Sequence, residues 1–159
     1  VTSTELVKRG EQEVIEFKQS ALCDPATGEQ HKSLKAAVVK TVAGFLNAAG
    51  GVLLIGVADD GQVTGIEGDM RLTGRRKGGV DEYQNWLTNV LVTTLDRRFV
   101  AHHVEVEFGT LEGRQICRVN VEAGSGPCYI SSETFVARIG STTQTFNVKQ
   151  AHEYIAAHW

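Results

Sequence analysis

The stretch that decides the fold is "VVKTVAGFLNAAGGVLLIGVADDGQVTGI", residues 38–66. Its first half is helical in pattern. With Leu34 ahead of it, apolar residues recur at Val38, Val42 and Phe45, so they share one helix face. Gly50 and Gly51 then stop the helix, where a left-handed residue is wanted. "VLLIGVA" (52–58) is a near-continuous apolar run and suits a central strand covered on both faces. "DDGQ" turns the chain and "VTGI" returns it, so a hairpin is expected.

Upstream, "EVIEFK" (13–18) is β-branched and aromatic and reads as a short strand. "CDPATGE" (23–29) is a loop, and Thr27 with Gln30 has the spacing of a capping box opening a helix over 31–49. Downstream, "RLTGRRKGG" (71–79) reads as an exposed basic loop. A second amphipathic helix is expected over 81–95, through Tyr83, Trp86, Leu87, Val90 and Leu91. "HHVEVEF" (102–108) and "QICRVNVE" (115–122) alternate as strands around a "GTLEGR" turn. "TFVARIG" (134–140) and "TQTFNV" (143–148) make a final pair of strands, and "KQAHEYIAAHW" (149–159) a closing helix. The order β-α-β-β-α-β-β-β-β-α indicates an α+β fold, a mostly antiparallel sheet with packed helices.

The chain has 159 residues, 42% hydrophobic and 22% charged, the profile of one ordinary domain over residues 1–159. A formal net charge of -3 argues against a uniformly basic nucleic-acid binder, so any polyanion site must come from local clustering. No apolar run approaches the roughly 18 residues that a spanning helix needs, and no membrane partner is expected. The three cysteines suit a reducing compartment, with a cytoplasmic location expected. The chain starts at Val1 and its only methionine is Met70, so we expect a piece of a longer protein, with that protein's other domains as partners. A homo-oligomer is compatible with the sequence.

"EQEVIEFKQS" (11–20) carries three glutamates within six residues, followed by Lys18. Alternate strand residues share a face, so Glu16 and Lys18 point one way and Glu13, Ile15 and Phe17 the other. Glu11 has the opposite parity and reaches Glu16 only if the chain bends before the strand, where Gly10 makes bending easy. Asp59 and Asp60 stand at the carboxyl end of the buried strand. Two glutamates and an aspartate together would suit Mg²⁺ or Mn²⁺, with Lys18 as a fixed positive charge beside a phosphate. The alternative is a solvated strand face. Arg71, Arg75, Arg76 and Lys77 form one basic group, and Arg97 with Arg98 another. Arg138 precedes a turn whose Ser141 and Thr142 could offer hydroxyls and amides to phosphate. The alternative for these basic groups is solvated loops. The glycines of "NAAGGVLLIGVADDG" lack the Lys-Ser or Lys-Thr of a P-loop. Tyr83, Trp86, Phe99 and Trp159 read as core or capping residues.

In combination, "EVIEFKQS", the 38–66 stretch, "GPCYI" (126–130) and "FVARIGSTT" (135–143) resemble a single lobe of the Schlafen AlbA-type domain. Phe45, Asn47, Gly50, Gly51, Gly56, Asp60 and Gly61 match its pattern, as do Arg138, Gly140, Ser141 and Thr142, with Val136-Ala137 replacing the usual Tyr-Val. The resemblance implies a metal-dependent endoribonuclease acting on structured RNA. It places the carboxylates at Glu11, Glu16 and Asp59, with Asp60 a rival for the third. Many bacterial relatives are described only as DNA-binding or regulatory modules, so the alternative is a non-catalytic DNA- or RNA-binding module of a regulator or defence protein, and a nucleotide-sensing or protein-interaction domain is a further one. His102, His103 and Cys128 fall near the family's zinc region, but the ligand set is incomplete and the histidines read as strand residues.

Overall fold

The computed structural model describes residues 1–74 and 79–159. In chain order its elements are α1 (Ser3–Arg9), β1 (Ile15–Lys18), α2 (Lys32–Leu46), β2 (Gly51–Ile55), α3 (Glu67–Thr73), α4 (Val80–Thr94), α5 (Arg97–His103), β3 (Val104–Leu111), β4 (Arg114–Val121), β5 (Tyr129–Ile130), β6 (Thr134–Ile139), β7 (Thr142–Thr145) and α6 (Val148–His158). This is the expected α+β architecture. One sheet runs β1-β2-β4-β3 and the other β5-β6-β7. Every pairing is antiparallel except β1 with β2, which are parallel because α2 carries the chain back across the sheet between them.

The position of α2 explains its composition. It touches β2 and β4 of the first sheet and β5, β6 and β7 of the second. Its first turns keep a wet side, with Lys32, Ser33 and Ala36 exposed, but the end that lies between the sheets has none: from Thr41 to Leu46 every residue is buried. Gly44 is needed there, since a Cβ would lie 2.6 Å from Thr143 Cγ2. The opposite face of the first sheet has its own apolar cluster, in which Ile15, Phe17 and Leu54 meet Leu6 of α1. Strand alternation therefore turns Glu16 and Lys18 toward the α2 side.

Two buried polar side chains join these layers. Asn47, at the end of α2, donates to the carbonyls of Cys128 and Val136 and accepts from the Cys128 amide, each at 2.8 Å. Asp69 of α3 accepts from the amides of Ala21 (2.7 Å), Leu22 (3.1 Å) and Cys23 (2.7 Å) and from the Tyr83 hydroxyl (3.0 Å). It thereby fixes the loop that leaves β1.

Several local expectations change. A Thr2–Glu5 capping box opens α1, which the sequence reading passed over. His31, not Thr27, caps α2; the Thr27 hydroxyl instead accepts from the Glu29 amide within the loop. The "VTGI" return is reduced to one bridge, Val57 with Val63. Residues 71–73, expected in a loop, finish α3. His102 and His103 end α5 instead of starting a strand. The last strand stops at Thr145, and Asn147 caps α6.

Asn47→Ala leaves an amide and two carbonyls without their partner in a fully buried joint. We expect a loss of about 2–4 kcal/mol in urea unfolding. A loss below about 1 kcal/mol would mean that apolar contacts alone hold the second sheet to α2.

Candidate functional site

β1 and β2 end side by side, and at their carboxyl ends lies a cleft of about 550 Å³ whose walls include Lys18, Ser20, Leu34, Asp59 and Asp60. The Ser20 side of this wall is held by the Asp69 contacts to the next three amides. Rigid strand ends aiming side chains into an open cleft are suited to a binding site.

Glu11 arrives by a route that spacing alone did not give. Gly10 has a positive φ of 78°, and the chain then closes a tight turn in which Gln12 and Ile15 exchange backbone hydrogen bonds at 2.9 and 3.3 Å. The turn folds Glu11 back along β1, where its Oε1 accepts the Phe17 amide at 3.0 Å. β1 is an edge strand, so this carboxylate satisfies a donor that the sheet leaves open. Burial raises the Glu11 pKa above its ordinary 4.5, the Phe17 hydrogen bond partly offsets this, and the negative charges of Glu16 and Asp59 raise it further. Lys18 pulls it back. Glu16, Asp59 and Lys18 therefore all act electrostatically on Glu11. Asp60 lines the cleft beside Asp59, and its Oδ1 accepts the Gln62 amide at 2.9 Å within the turn.

Glu16 is held from two sides. Lys18 Nζ lies 3.3 Å from Oε1, and Arg138 Nη2 lies 3.0 Å from Oε2. Arg138 corrects an expectation. It is not on a surface open to phosphate; it is 5% exposed. It donates to the carbonyls of Glu13 (3.0 Å), Gln12 (2.8 Å) and Ile15 (3.4 Å) and to Thr143 Oγ1 (3.4 Å). Its guanidinium carbon stands 5.0 Å from the Phe45 ring centre. The physical reason is the packing of β6 against α2, which turns this side chain inward to the β1 turn. Ser141 and Thr142 remain exposed at the β6–β7 turn, with the Thr142 hydroxyl donating to Ile139.

Arg71 is exposed and reaches the Gly28 carbonyl at 3.4 Å. Arg75, Arg76 and Lys77 lie outside the described residues. Arg98 is tied to Asp96 at 3.1 Å. Cys128 is buried at the Asn47 joint.

Among the described residues, no three acid, histidine or cysteine side chains gather closely enough to hold a metal ion. The donor set nonetheless consists of hard oxygens suited to Mg²⁺ or Mn²⁺. With Glu16 engaged by two cations, Glu11 and Asp59 remain. Mg²⁺ is commonly held by one or two carboxylates and completed by water and substrate phosphate. Only the chemistry of the donors suits an ion of that kind; the described carboxylates do not form a closed cage of three. Sequence reasoning missed Asp69 and the inward role of Arg138. A lone aspartate in "EGDM" carries no local signal, and an arginine in a strand reads the same whether it faces water or core.

The model of the Schlafen AlbA_2 family matches residues 11–147, and the chain belongs to that family. Membership associates it with nucleic-acid-related function. No curated protein matches. Among solved structures, the DIP2311 protein of Corynebacterium diphtheriae is similar with a TM-score of 0.62 and 20% identity. That match covers 89% of this chain and 23% of the other, and it supports the fold. The N-terminal domain of a helicase RecG-related protein from Nitrosomonas europaea matches at a TM-score of 0.48 and 22% identity, over 77% of this chain and 74% of that one. No helix among the described residues is long and apolar enough to cross a membrane.

Glu11 yields a pH prediction. The folded state holds this proton more tightly than the unfolded chain does. The resulting stability is present below the ordinary value of 4.5 and is lost as pH rises through the raised folded value. Glu11→Gln keeps an oxygen for the Phe17 amide and cannot ionise. Its melting temperature should therefore gain on that of the parent as pH rises from about 4 to about 6. A difference independent of pH would remove Glu11 from the titrating set.

Proposed function

We propose that the domain binds RNA and cleaves its backbone with Mg²⁺ or Mn²⁺ at the β1–β2 cleft. The observation that carries this is the folding of Glu11 back along β1 onto the Phe17 amide, next to Glu16 and Lys18, in the strand that ends at the cleft lined by Lys18 and Asp59, in a chain of a nucleic-acid-associated family. An acidic cleft and a polyanion meet favourably only across a cation. Glu11 and Asp59 would hold the ion. When bound, it would neutralise charge developing on the phosphate and make a bound water more acidic. Lys18, with its side chain 31% exposed on the cleft wall, would orient the phosphate and offset the charge that builds on it. Affinity away from the cleft would come from the basic group at Arg71, Arg75, Arg76 and Lys77, which neutralises phosphates without reading sequence.

A second reading is supported by the Arg138–Glu16 pair, because an internally balanced glutamate suits a module that binds RNA or DNA without cutting it. Incubating structured RNA and duplex DNA with the protein, in each ion and in chelator, separates the two. The proposal expects cleavage of RNA only when an ion is present. Asp59→Asn should lower the rate by about 100-fold or more. Binding in chelator should survive in that variant and weaken as salt rises. Binding with no cleavage in either ion transfers the assignment to the second reading. Affinity for mononucleotides alone would indicate a nucleotide sensor instead.

A further inference from the structure

Arg138 supplies more contacts than a surface phosphate ligand would need. Its side chain is 2% exposed and that of Glu16 13%. Three of its acceptors are the carbonyls of Gln12, Glu13 and Ile15, which belong to one turn. That turn is what brings Glu11 back to the Phe17 amide. The Phe45 ring covers the guanidinium, adding a cation–π contact. A planar fork with several fixed donors can serve a carboxylate and several carbonyls together, as a lysine ammonium on its flexible stem cannot.

We infer that Arg138 is the resident counter-cation of the acidic site and a positioning residue for Glu11. It shares Glu16 with Lys18, clamps the Gln12–Ile15 turn, and leaves Glu11 and Asp59 as the pair open to a divalent ion. The ion-binding half rests on the function proposed above; the clamp does not. Glu16 on this account is a structural anion beside the ion, not a ligand of it.

The clamp is tested in chelator, with urea unfolding of the parent, Arg138→Met, Glu16→Gln and the double variant. Breaking one side of a buried pair leaves an uncompensated charge, so the two losses should not add. The double variant should be no less stable than Arg138→Met alone, and additive losses overturn the clamp. If Arg138→Met does not fold, Arg138→Lys takes its place in the series. That variant keeps the charge without the fork, and it should lose stability and show the same non-additivity with Glu16→Gln. Full stability of Arg138→Lys would overturn the clamp, because charge alone would then suffice.

The open pair is tested by melting with Mg²⁺ and with Mn²⁺, since an ion bound only to the folded state raises the melting temperature. Glu16→Gln should keep most of the parent's rise, whereas Glu11→Gln and Asp59→Asn should lose most of it. Loss of the rise in Glu16→Gln with retention in Glu11→Gln overturns the assignment. A parent with no rise in either ion overturns the cleavage reading, and the open pair with it. The series in chelator then still decides the clamp.

Discussion

A helix end with no face for water constrains everything around it. The last turns of α2 lie between two sheets, so each residue there must suit a neighbour on its own side. Gly44 admits Thr143, Phe45 lies under the guanidinium of Arg138, and Asn47 closes the end with three hydrogen bonds to the second sheet. Buried polar groups are tolerated only when satisfied, and Asn47 and Arg138 both are. The second sheet therefore serves the acidic site directly: β6 delivers the arginine that holds the turn before β1.

The site carries its own balance of charge. A cluster of carboxylates at the end of two parallel strands would repel itself, and the structure answers with Lys18 and Arg138 on the two oxygens of Glu16. Burial is the main reason that Glu11 holds its proton more tightly than usual; its two acidic neighbours add to this, and the Phe17 amide partly offsets it. The loop that forms the wall opposite is fixed by Asp69, whose carboxylate gathers three consecutive amides and a phenol. Ionised groups accept such bonds more strongly than neutral ones do. The wall is thus set before any ligand arrives.

Sequence patterns were most informative where one periodicity ruled. The central run at 52–58 became β2 and its bridge, and the alternation in "IEFK" put Glu16 and Lys18 on one side. The Asp59-Asp60 pair falls at the strand end by the same logic, and both residues line the cleft, Asp60 with one oxygen on its own turn. What escaped was decided by tertiary contact. Arg138 was read as a surface residue because its neighbours are exposed hydroxyls, yet β6 against α2 turns it inward. α5 has one buried residue in seven, too few to show a helical stripe. Glu11 needed a two-sided exchange between Gln12 and Ile15 that no composition rule announces.

The carboxylate on the Phe17 amide also bears on how copies of this chain meet. An edge strand with open amides is a template for another strand. At β1 that template is blocked from within, by a side chain only six positions away in sequence. On the opposite margin of the sheet, β3, Glu105 is exposed and Glu107 is paired with Arg118 of β4 at 3.4 Å. The acid that folds back along β1 thus also helps to keep the sheet finite.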